Sequence, residues 1–133
     1  MVIKIIKLFS FVSIFLCTII SSAQTVDIKL KFAKKYAYCN CIYTNNVKLD
    51  EKYLSNKFQI SDKSSKEFIE LGKIKERDSE KIRSFTEKIT GGFYLIESPY
   101  YSESGDSNTI TSTCLEFYES KELDKFIKKL YKK

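Results

Sequence analysis

The stretch Asp27-Ile28-Lys29-Leu30-Lys31-Phe32-Ala33-Lys34-Lys35-Tyr36-Ala37-Tyr38-Cys39-Asn40-Cys41-Ile42-Tyr43 decides the fold class. Spaced at about 100° per residue, Ile28, Phe32, Tyr36, Cys39 and Tyr43 fall on one arc, and Leu30, Ala33, Ala37 and Cys41 on an adjoining one. Lys31, Lys34 and Lys35 take what remains. A helix apolar over more than half its circumference is central, packed on both flanks by its own chain or by a partner subunit. Asp27 suits the positive end of the helix dipole. Thr44-Asn45-Asn46, which prefer turns, are expected to end the helix.

Upstream the composition changes. Lys4 and Lys7 flank an apolar opening, Leu8 to Ile20 is almost wholly apolar, and Ser21-Ser22-Ala23 offers the small residues that a signal peptidase needs. Residues 1–23 therefore read as a secretory signal peptide. An uncleaved anchor is the alternative, but the apolar run is shorter than the about 20 residues a bilayer core requires. Cys17 follows Phe15-Leu16 rather than a small residue, which argues against lipidation. Cleavage leaves residues 24–133 as one small domain without stable membrane insertion.

Losing Lys4 and Lys7 lowers the formal charge from +6 to +4. Spread over a mixed surface, that charge favours solubility over binding to an anionic surface, and nucleic acid is not expected as a partner. The chain has no histidine. Ser-His-Asp and Cys-His nucleophile pairs and imidazole metal sites are therefore excluded. Carboxylates alone can cleave glycosides, but here they are scattered beside lysines on expected solvent faces. No catalytic residue, metal or cofactor is expected.

Downstream, helical signals continue. Asp50 to Phe58, carrying Tyr53, Leu54 and Phe58, reads as a short helix. Ser64 with Glu67 is a capping-box signature, after which Phe68, Leu71 and Ile74 mark a buried side. A break near Arg77-Asp78 precedes a helix from Ser79 to Thr90, with Ile82, Phe85 and Ile89 on one arc. Gly91-Gly92 is expected to stop it through the left-handed cap conformation. In the helix from Thr109 to Glu119, Ile110, Cys114, Phe117 and Tyr118 share a face, so Cys114 points inward. Ser120 then caps a last helix whose Leu123, Phe126, Ile127, Leu130 and Tyr131 form one stripe. The terminal lysines offset that helix's dipole rather than bind a membrane.

Residues 93–108 show no clear period, and so long a connector in a small domain is often functional. Pro99 beside Tyr100 and Tyr101 favours recognition over a plain surface loop, since rigid tyrosines give contact area at small entropic cost. The expected fold is all-α: a small single-domain bundle of about five helices. Cys39, Cys41 and Cys114 remain after cleavage, and export to an oxidising compartment favours one disulfide and one spare thiol. Cys39 and Cys41 lie about 200° apart on a helix, so only one of them faces Cys114; both arcs being apolar, periodicity does not choose.

Two segments carry a family resemblance. Tyr36-Ala37-Tyr38-Cys39-Asn40-Cys41-Ile42-Tyr43 and Cys114-Leu115-Glu116-Phe117-Tyr118-Glu119-Ser120-Lys121-Glu122-Leu123-Asp124 resemble the type VI secretion amidase immunity proteins. In that family a first-helix cysteine precedes an aliphatic residue, and a Cys-Leu-x-x-Tyr-x-Ser-x-x-Leu stretch lies near the C-terminus. Matching positions are Cys41 with Ile42, and Cys114, Leu115, Tyr118, Ser120 and Leu123. The likeness runs from about Phe32 to Tyr131 and is sharp only at its two ends; Cys39 departs from the pattern. It implies an all-helical homodimer with a Cys41–Cys114 disulfide, located in the periplasm. The function it implies is to bind a cognate peptidoglycan amidase effector and occlude its groove, with no chemistry of the inhibitor's own. The expected toxin-binding loop is Ser98 to Ser107, with Tyr100, Tyr101, Glu103 and Asp106 in contact. The alternative is an exported helical envelope protein that binds an anionic glycan or lipid surface.

Overall fold

The apolar period of the first segment becomes one long helix, α1 (Val2–Leu49), of 48 residues. The computed structural model describes residues 2–49, 62–98 and 108–131, with side chains from residue 25 onward. The short helix expected at 50–58 lies outside the described residues. Four further helices follow: α2 (Ser64–Leu71), α3 (Glu76–Thr90), α4 (Ile110–Glu119) and α5 (Lys121–Tyr131). A 3-10 turn, Phe93–Leu95, and an isolated antiparallel bridge between Glu97 and Asn108 complete the described elements. The fold is all-α, as expected. Among the residues with described side chains, no helix is long and apolar enough to cross a membrane.

α1 touches every other helix and the 3-10 turn. Its buried side consists of Leu30, Ala33, Tyr36, Ala37 and Cys41. Ile82 of α3, Ile110, Cys114 and Phe117 of α4, and Leu123 and Ile127 of α5 close the core over it. Phe85 stacks on Phe126 at 3.9 Å between ring centroids, joining α3 to α5. Lys34 donates to Asp124 at 2.7 Å and lies 4.9 Å above the Tyr118 ring, joining α1 to the C-terminal pair of helices.

Several boundaries differ from expectation. Thr44-Asn45-Asn46 does not end α1, which continues to Leu49. The Asn45 amide donates to the Cys41 carbonyl at 3.0 Å and that of Asn46 to the Ile42 carbonyl at 2.8 Å, so both side chains fold back on the helix. The Asn45 oxygen also accepts the N–H of Tyr94 at 3.0 Å, which gives this fully buried asparagine a partner at both ends.

Ser64 is the first residue of α2 rather than the cap of a capping box. The Asp62 carboxylate accepts both its N–H, at 2.9 Å, and its hydroxyl, at 2.6 Å. The break falls at Gly72–Lys75, not at Arg77-Asp78. There Lys73 adopts φ 47, and the Ile74 N–H reaches back to the Ile69 carbonyl, closing the turn that buries Ile74 and leaves Leu71 50% exposed. Gly72 permits a close crossing, since a Cβ there would sit 2.7 Å from that of Phe32. α3 does stop at Thr90, but Gly91 is right-handed, with φ −65. Its own constraint is space: a Cβ would lie 2.5 Å from the Glu87 carbonyl oxygen. Ser120 caps α5 as expected, accepting the Leu123 N–H at 3.1 Å.

The choice left open by periodicity is settled by the fold: Cys41 is bonded to Cys114, with Cα atoms 5.7 Å apart and 73 residues between them in sequence. Both are fully buried. A closed loop of that length contributes about 4 kcal/mol by limiting the unfolded chain. Replacing both cysteines by alanine should therefore lower the free energy of unfolding by about 4 kcal/mol, read as a fall in urea midpoint with a somewhat steeper slope, since the unlinked denatured chain exposes more surface.

Candidate functional site

The other helices cover the C-terminal half of α1 only in part, leaving Tyr43, Lys48 and Leu49 exposed. The result is a solvent-open groove of about 1370 Å³ walled by parts of α2, α3 and α4. Tyr38, Ile42 and Tyr43 of α1 contribute apolar surface, joined by Phe68 of α2 and by Leu115 and Tyr118 of α4. Tyr43 and Leu115 are each 48% exposed.

The charges around this floor are held in place. Lys35 lies 5.2 Å from the Phe68 ring centroid and 5.5 Å from that of Phe32, an arrangement that favours a cation over each aromatic face. The Arg83 guanidinium of α3 donates to the Tyr36 hydroxyl at 3.3 Å, and that bond supports its charged form. Lys48 is committed to the Gly91 carbonyl at 2.9 Å. Asp62 is held below the usual carboxylate range by its bonds from Ser64.

Two residues of the groove are chemically unusual. Cys39, the free cysteine among the described residues, is partly buried, and burial followed by the nearby Asp62 charge raises its thiol from 9.0 to about 11. It is a protonated, weakly nucleophilic sulfur at neutral pH. Asn40 is only 9% exposed, and its amide nitrogen is buried without a hydrogen-bond partner.

Of the residues singled out by sequence, Cys41 and Cys114 lie beneath this floor, bonded to each other. Tyr100, Tyr101, Glu103 and Asp106 lie outside the described residues. The ends of their segment are joined by the Glu97–Asn108 bridge, and the Thr109 hydroxyl donates to the Ile96 carbonyl at 3.2 Å. Sequence reasoning missed the groove itself. Its one advance signal was the exposed Leu115 following an inward-facing cysteine. No cluster of three or more His, Cys, Asp or Glu among the described residues could hold a metal ion.

Because the folded-state thiol of Cys39 is raised, its contribution to stability is complete below about pH 9 and is lost as pH rises through about 11. Tyr131 acts in the same direction, pushed from 10.0 to about 12 by burial and then by Asp78. Unfolding experiments between neutral and strongly alkaline pH should show falling stability, flattened by Cys39→Ser with Tyr131→Phe. The Cys39 thiol should also react with a disulfide reagent about a hundredfold more slowly than an ordinary thiol near pH 8.

No protein family's sequence profile matches the chain, and no curated protein or solved structure is significantly similar to it.

Proposed function

We propose that the chain is a periplasmic immunity protein that binds a type VI secretion peptidoglycan amidase and covers its active site. The observation that carries this reading is a juxtaposition. The two segments that resemble the immunity family, far apart in sequence, meet in the fold: Cys41 is bonded to Cys114, and Tyr38 meets Tyr118 edge-on at 6.2 Å. Lys34, one turn earlier, pairs with Asp124 at the end of the second segment. A covalently pinned helical platform suits inhibition by occlusion, because a rigid surface loses little entropy on binding.

In this reading residues 98–107, flanked in sequence by the bridged Glu97 and Asn108, supply the contacts to the amidase groove. The test uses residues 24–133 and an amidase encoded beside this chain. Stoichiometric inhibitor should stop release of stem peptides from peptidoglycan, and deleting residues 100–106 should weaken binding by about tenfold or more in calorimetry. Full cleavage with no heat of binding would remove the reading, whereas unchanged affinity after the deletion would remove only the contact.

The proposed homodimer would use the flank of α1 that carries Ile28, which is 44% exposed one turn before Phe32. Sedimentation at micromolar concentration should show a dimer that Ile28→Glu converts to monomer. A monomeric parent protein would count against it.

A further inference from the structure

The groove along α1 combines three features that select one class of ligand. Its floor is aromatic and aliphatic, with Tyr43 and Leu115 each about half exposed. Its charged lining is unbalanced: Lys35, Lys48, Lys63, Lys66 and Arg83 stand against Asp62 and Glu87. Lys35 and Lys66 come from α1 and α2 and Arg83 from α3, so cations stand on different walls. The third feature is the Asn40 amide, nine-tenths buried in the groove lining with a nitrogen that has no acceptor. A buried donor in that state costs free energy that a ligand oxygen would recover.

We propose that this groove binds an acidic segment of a partner protein, one that also carries aromatic or aliphatic side chains. Its carboxylates pair with Lys35 and Arg83, an oxygen accepts from Asn40, and its apolar side chains pack on Tyr43 and Leu115. A concave site walled by three helices admits a single chain, while a planar bilayer surface would reach its rims and not its floor. The chain's own residues 50–61, which join Leu49 to Asp62 in sequence, carry balanced charge, with Asp50 and Glu51 against Lys52 and Lys57. They do not match the basic lining. The inference goes beyond the amidase reading, since it rests on groove residues of α1 to α4 and not on residues 98–107, and holds for any acidic protein partner.

The test uses residues 24–133 with the disulfide formed, and a random copolymer of glutamate and tyrosine as probe. Binding should weaken as salt rises, because partly exposed charges are screened. Lys35→Glu with Arg83→Glu should weaken it about tenfold or more, whereas Lys125→Glu with Lys129→Glu, on the outer side of α5, should change it less than about twofold. Asn40→Leu should weaken binding without lowering the stability of the free protein. Bound copolymer should also slow the already slow alkylation of Cys39 near pH 9, where the thiol is still mostly protonated but its thiolate fraction exceeds that at neutral pH. If the charge reversals do not fold, Lys35→Gln with Arg83→Gln and the Cys39 protection carry the test. The proposal is overturned by any of four results: no binding, equal loss in both charge pairs, binding to anionic vesicles alone, or a Cys39 that reacts only after residues 51–60 are deleted.

Discussion

The bond between Cys41 and Cys114 ties the helix that touches every other element to the penultimate one, and most of the architecture follows from that tie. Small domains bury a limited apolar area, and this core takes only one to three apolar residues from each of α3, α4 and α5 around the buried side of α1. A covalent link across 73 residues compensates by removing extended conformations from the unfolded chain. Once Cys114 is fixed against α1, Ile110 and Phe117 follow on the same face of α4. The Ser120 cap then turns α5 back so that Leu123 and Ile127 reach the core.

Buried polar residues play a larger part than the apolar pattern suggests. Thr86, Thr90, Ser79 and Asp78 all lie on the buried side of α3 beside Ile82. Thr90 bonds the Thr86 carbonyl at 2.8 Å and Ser79 the Glu76 carbonyl at 2.7 Å, so these hydroxyls satisfy themselves within the helix and leave their methyl or methylene groups for packing. Asn45 goes further, since one amide serves its own helix and the 3-10 turn together. It prolongs α1 and positions the strand-like exit toward Glu97.

The same tie shapes the candidate site. Asn40 and Ile42 flank Cys41, and Leu115 follows Cys114, so the groove floor is set by residues adjacent in sequence to the bonded pair. Core and groove are thereby coupled through the backbone: the cysteines are buried and their neighbours line the groove. The cations around it are oriented by aromatic partners, Lys35 by Phe32 and Phe68, and Arg83 by the Tyr36 hydroxyl.

Helical periodicity alone determined the all-α class, the inward direction of Cys114 and the stripe of the last helix, because each rests on local spacing; the stop after Thr90 was placed correctly, but through a right-handed Gly91 rather than the expected left-handed cap. Periodicity misplaced the break after α2, where Gly72 is required by a helix crossing and Leu71 is left outside. It also ended α1 too early, since the propensity of asparagine for turns yields when both its amide groups find partners. The choice of Cys41 over Cys39 was closed to periodicity, as both arcs of the helix are apolar; only packing decides which arc faces α4. The groove was equally hidden, for it is formed by side chains from helices distant in sequence, and a surface shared among them exists only once the helices have docked.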